Sequence, residues 1–149
     1  MTIKGKIYGM AKIVGIERLM LGERSQIDDF CFINAGVSCE IGSNVHISSF
    51  TTIIGGGVCK IGDFAGLSAG CRVITGTDDF MGPFLTNPTV PAEYKSVHLG
   101  KVVIGRHAIV GTNSIIFPDV VIGDGCSVGA GSVIRKNLEA WTVYATIKG

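Results

Sequence analysis

The chain has 149 residues, a formal net charge of +1 and 17% charged side chains, which is enough for one ordinary domain and too little for two. With no basic stripe, no polybasic segment and no apolar run near the roughly 20 residues that cross a bilayer, nucleic-acid binding and membrane insertion are excluded. A small molecule or another copy of the chain is the expected partner. The five cysteines are an odd count without a CxxC pair, so free thiols are expected in place of a disulfide framework or zinc ribbon. Along the first twenty residues, charges interrupt every short apolar stretch, unlike a secretion signal. The cytoplasm is the expected compartment.

From Leu21 onward an aliphatic residue recurs every six positions, at Ile27 and Ile33, then Ile41, Ile47 and Ile53, then Ile61, Leu67 and Val73. After a break the repeat resumes at Ile104 and runs through Val110, Ile116, Ile122 and Val128 to Ile134. Four residues after each aliphatic comes a second, mostly small residue, such as Ser25, Cys31, Val37, Thr51, Ala65, Cys71, Ser114, Cys126 or Ser132. A period of six fits neither an amphipathic helix nor an alternating strand. It fits a triangular coil in which each hexad supplies one short strand and one tight corner, and three hexads close a turn. The aliphatics then point inward and stack at about 4.8 Å per coil. All-β architecture follows, as a parallel β-helix prism of one domain, residues 1–149.

Two eight-residue intervals, Ile33 to Ile41 and Ile53 to Ile61, and the break after Val73 all follow the third hexad of a coil. The three excursions therefore leave from one corner, and Cys39-Glu40 should stack on Cys59-Lys60. The last excursion, about residues 77–101, contains three of the four prolines and no hexad. A projecting loop of that length is usually functional. Residues 137–149 leave the period and carry the single tryptophan, Trp141, and are expected to cap the last coil.

The stretch IGRHAIVGTNSIIFPDVVIGDGCSVGAGSVIRKN resembles the last coils of the hexapeptide-repeat acyltransferases, and HISSFTTIIGGG followed by the TDDF loop is similar to their sugar and surface-polysaccharide members. The resemblance spans roughly residues 21–145. It implies a left-handed coil, a cytoplasmic homotrimer with active sites between neighbouring copies, acetyl-CoA as co-substrate, no metal, and transfer to a hydroxyl or amino group of a sugar or nucleotide-sugar. By the same resemblance Thr112, Gly129 and Ala130 line the pantetheine, while Arg135 and Lys136 either meet the CoA phosphates or simply solvate the last corner. Small residues allow close approach, and paired cations suit an anion.

Members of the family place a histidine in the loop as general base, and here Asp78 stands at that position. A carboxylate of ordinary pKa near 4 is a weak base for an alcohol unless burial or Asp79 raises it. Asp78 and Asp79 are therefore candidates for base, for binding an acceptor hydroxyl or ammonium, or for a plain solvated turn. His46 is the other candidate base. It ends a hexad, which places it at a corner, two residues before Ser48, a position where the family contacts acceptor. His98, on the loop's return limb, is a further substrate-binding candidate, and His107 reads as exposed surface. Phe30, Phe32, Phe50 and Phe64, outside the interior positions, are expected to help bury the threefold interface. Two other classes share this fold, a γ-type carbonic anhydrase, which needs three converging histidines, and a non-catalytic trimeric scaffold.

Overall fold

A computed structural model describes residues 2–146. Short strands stack into three parallel sheets that form the faces of a left-handed β-helix prism. Face one runs through Thr2–Ile3, Leu19–Leu21, Ser38–Ile41, Val58–Ile61, Lys101–Ile104 and Val121–Ile122. Face two runs through Lys6–Ile7, Gln26–Ile27, His46–Ile47, Gly66–Leu67, Ile109–Val110, Ser127–Val128 and Val143–Tyr144. Face three runs through Lys12–Val14, Phe32–Asn34, Thr52–Ile54, Arg72–Ile74, Ile115–Ile116 and Val133–Ile134. Each hexad aliphatic lies inside, with Ile27, Ile33, Ile47, Ile53, Ile104 and Ile116 all fully buried. Each such side chain contributes roughly 1.5–3 kcal/mol of burial.

The second interior position is small for a further reason. Its side chain donates a hydrogen bond to a corner carbonyl of the next coil: Cys31 Sγ to Ser48 O at 3.1 Å, Thr51 Oγ1 to Ser68 O at 3.2 Å, Cys71 Sγ to Gly111 O at 3.2 Å and Ser114 Oγ to Gly129 O at 3.1 Å. At these corners, where the strand pairing stops, the side-chain donor adds to a turn hydrogen bond on Ser48 O, Gly111 O and Gly129 O and is the hydrogen bond that Ser68 O accepts. Burial pushes the Cys31 thiol up to about 11, which keeps it a protonated donor.

The register confirms the stacking of Cys39-Glu40 on Cys59-Lys60. It also corrects one assignment. The interior position is better counted as two residues before the aliphatic, so the eight-residue intervals place Cys39 and Cys59 inside, at 0% and 1% exposure, and leave Val37 outside at 57%.

The coil extends beyond the hexads at both ends. Ile3, Ile7 and Ile13 form a first coil in register with Leu21, Ile27 and Ile33. At the other end Leu138 bridges to Ile122 and Tyr144 pairs with Val128. The expected terminal cap is thus a partial seventh coil as far as residue 146, and residues 147–149 lie outside the described part. Trp141 does not cover the core. It turns a corner at φ 63°, with its ring against Gly125, and is 72% exposed.

The first corner, between faces one and two, carries Arg24, Asn44, Phe64, His107, Gly125 and Trp141 at positive φ. The second, between faces two and three, carries Phe30, Phe50, Gly70, Asn113 and Gly131. The four phenylalanines thus divide between two corners and face three. Phe30 and Phe50 stack with ring centroids 5.4 Å apart. From the third corner the long loop projects as an antiparallel ribbon, Gly76–Asp78 on Val97–Leu99, with a 3-10 turn at Ala92–Tyr94.

Candidate functional site

Face two carries polar side chains stacked in register. Gln26, His46 and Gly66 stand in register on successive coils, followed by Ile109. Their immediate successors along the outer edge are Asp28, Ser48 and Ser68. His46 therefore lies on a flat face and not at the corner its hexad position suggests, because the strand begins one residue before the aliphatic. Its Nε2 is 2.8 Å from Asp28 Oδ2, and Gln26 Nε2 donates to Asp28 Oδ1 at 2.6 Å. Burial pulls the Asp28 carboxyl upward, but the Gln26 amide and the His46 ring outweigh it, so Asp28 is held below the ordinary carboxylate range. An ionised Asp28 accepts from both neighbours. Nε2 of His46 is then the protonated nitrogen, and a neutral ring keeps Nδ1 as a proton acceptor.

Beside His46 a groove of about 480 Å³ opens along the face, lined by Ser48, Gly66, Ser68, Phe64 and His107. At Gly66 no side chain enters the groove. A Cβ built there meets nothing within 4 Å. His107 is more than exposed scenery, since its ring stacks on Phe64 with centroids 5.0 Å apart and walls one side.

The loop residues form a second region. Asp78 and Asp79 are half-buried at the root of the ribbon. Asp78 Oδ2 accepts from the Asn87 amide at 2.9 Å, and Asp79 Oδ1 accepts from the Met81 and Gly82 amides at 3.0 and 2.8 Å. Both carboxylates therefore shape the loop, whatever else they do. His98 Nε2 lies 2.6 Å from Asp119 Oδ2, and that contact, with the Lys101 amide, holds the Asp119 carboxyl below its usual value. A hollow of about 530 Å³ borders Asp78, Asp79, Phe80, Met81 and His98. Within one chain this hollow and the His46 groove share no lining residue.

Of the candidate donor residues, Thr112, Gly129 and Ala130 sit together at the second corner, on the late coils above the His46 groove. Coils approach closely there: a Cβ on Gly111 would lie 2.5 Å from the Ala130 amide nitrogen. Arg135 and Lys136 lie at the third corner, where the sixth coil passes into the seventh, both exposed, so face three separates them from that group. The Arg135 guanidinium stands 4.4 Å from the centre of the Phe117 ring. Both residues line a hollow of about 350 Å³ with Leu138 and Tyr144.

Gln26, Asp28, Gly66 and Ser68 were not among the residues singled out in the sequence. The signal was present as the twenty-residue spacing that stacks Cys39 on Cys59, since the same spacing stacks Asp28, Ser48 and Ser68. Among the described residues no three of His, Cys, Asp and Glu gather as a metal-binding set, and no helix is long and apolar enough to cross a membrane.

The family model for the bacterial transferase hexapeptide (six repeats) matches residues 101–136. An Escherichia coli protein, dTDP-4-amino-4,6-dideoxy-D-glucose acyltransferase, is 37% identical over 143 residues, covering 95% of this chain and 74% of that protein. The chain belongs to the hexapeptide-repeat sugar acyltransferases. The same family accounts for the solved structures it matches. A variant of AntD, an N-acyltransferase from Bacillus cereus, in complex with dTDP-4-amino-4,6-dideoxyglucose and coenzyme A, superposes with a TM-score of 0.90 at 38% identity, covering 99% of this chain and 78% of AntD. AntD in complex with dTDP and 3-hydroxybutyryl-CoA gives a TM-score of 0.89 at 40% identity, covering 97% and 78%. This member of the family is an acyltransferase, with the groove on face two as its candidate reaction centre.

Proposed function

We propose that the chain transfers an acyl group from an acyl-CoA to the amino group of a dTDP-4-amino-sugar, working in the cytoplasm as a homotrimer. The likeness to the Escherichia coli enzyme and to AntD over nearly the whole chain carries this reading, and the order of residues along face two supports it. Small residues at the second corner of the late coils suit the narrow pantetheine arm, and Arg135 and Lys136, which face three separates from that corner within one chain, suit its phosphates when offered by the neighbouring copy. The thioester then comes down toward Gly66 and Ser68, where the groove is open. The acyl donor includes acetyl-CoA, and AntD's complex with 3-hydroxybutyryl-CoA argues for room for a longer chain.

In the reaction the neutral amine attacks the thioester carbonyl carbon. A C–N bond forms, the C–S bond breaks, the amine's proton leaves and the CoA sulfur takes one up. His46 Nδ1, oriented through Asp28, is the base offered by one chain. Asp78 of a neighbouring copy, brought over the face by its loop, is the group that binds the amine or takes its proton, and Asp79 and His98 shape the rim of that loop. Ser48 lies beside His46 to contact acceptor.

The test is direct. Purified protein incubated with acetyl-CoA and dTDP-4-amino-4,6-dideoxyglucose should release CoA thiol and yield the 4-acetamido sugar by mass spectrometry. Turnover of a hydroxyl acceptor with none of the amine would overturn the N-transfer reading. No turnover and no CoA binding would leave a non-catalytic prism.

A further inference from the structure

We infer that the first coil of face two holds the nucleoside diphosphate of the acceptor, with Lys6 on its phosphates. The inference rests on the reading of the acceptor as a sugar nucleoside diphosphate and deepens it by assigning a binding residue and a direction. Three observations carry it. The first is charge. Residues 2–18 hold Lys4, Lys6, Lys12 and Arg18 against the single acid Glu17, a net +3 in a chain whose total is +1. Arg18 pairs with Glu17, which leaves three lysines on one coil without a carboxylate within ion-pair distance among the described residues.

The second is geometry. The Lys6 ammonium sits 4.2 Å over the centre of the Tyr8 ring, which holds an otherwise flexible side chain against the face. Asp28, two residues beyond Gln26, the register partner of Lys6, faces Gln26 and His46 and makes no ion pair with Lys6.

The third is length. Lys6 pairs in register with Gln26, and Gln26 with His46, so Lys6 stands two interstrand steps, about 10 Å, from the candidate base. Eight covalent bonds separate a 4-amino nitrogen from the farther phosphorus of a sugar nucleoside diphosphate. At roughly 1.2 Å of advance per bond, an amine at His46 puts the two phosphates beside Lys6. Acceptor and donor would then enter face two from opposite ends and meet at its middle.

The inference is tested by titrating dTDP, and CoA in parallel, into wild type, Lys6→Ala and Lys6→Arg by calorimetry. Loss of one charge-assisted contact should weaken dTDP binding about ten- to hundredfold in Lys6→Ala, with most of it recovered in Lys6→Arg and CoA affinity unchanged in both. Equal dTDP affinity in wild type and Lys6→Ala would overturn the inference and leave the nucleotide-sugar reading standing. A drop in CoA affinity instead would assign the first coil to the donor. Wild type that binds CoA but no dTDP would overturn the inference and the nucleotide-sugar reading together.

Discussion

Asp28 and Asp78 are both carboxylates, yet their surroundings assign them different work. Asp28 is fixed by the Gln26 amide and by His46, and its depressed pKa means that the fold favours its charged form. It therefore adds stability above the ordinary carboxylate value of about 4, and loses that contribution as the pH falls through and below it. The Tm gap between wild type and Asp28→Asn should accordingly shrink as the pH is lowered from 7 to 3, as read by calorimetry. Asp78 anchors its loop by accepting from the Asn87 amide, which an asparagine oxygen can also do. Asp78→Asn thus removes charge while keeping the loop, and should cut kcat/KM by roughly 10² if the carboxylate serves the amine. His46→Ala should cost less than about tenfold near pH 8, where a sugar amine as weakly basic as an α-amino group, with a pKa of about 8, is about half neutral, and more at pH 6, where a proton must be removed first. Full activity in both variants toward the aminosugar would place the reaction centre elsewhere.

At the level of strands and corners, the hexads from Leu21 to Ile134 were readable because inward side chains must repeat every six residues to stay inside. The end coils were not, and the reason is local. Ile3 to Ile7 and Ile134 to Leu138 are each only four residues apart, so one corner in each end coil is two residues short and a strict period of six breaks there. Of the candidate site, His46, Ser48 and Asp78 were legible as residue types suited to the proposed chemistry. Their arrangement was not, because Asp28 reaches His46 only through the coil-to-coil register, and the loop's carboxylates are spent on turn amides that leave no mark in the sequence. Gly66 was invisible for the opposite reason, since glycines abound and most of them serve corners. Here the glycine sits mid-strand with open space outside it. Gly66→Val should hold or raise Tm, because a β-branched residue suits a strand, while raising the acceptor KM roughly tenfold or more. A fall in Tm with unchanged KM would show that the groove is not used.

For the molecule as a whole, the exposed apolar side chains point to a further copy. The stacked Phe30 and Phe50 and the loop's Phe80 and Met81, the last 96% exposed, are too many to leave in water without a partner. Sedimentation at micromolar concentration should show a trimer, and a stable monomer would remove the shared-site mechanism. The uniform stacking has another result. Each coil rests only on the coils above and below it, so the fold does not depend on how many there are, whereas two substrates bound toward opposite ends must still meet. Duplicating residues 105–122, one full coil, should give a protein as stable as the original, with each substrate's own affinity intact. The attacking nitrogen and the thioester carbon would be held about 4.8 Å too far apart, and turnover would cease. The prism tolerates changes of length that the reaction does not, so among proteins built this way coil number should vary freely outside the stretch spanned by both ligands and stay fixed within it.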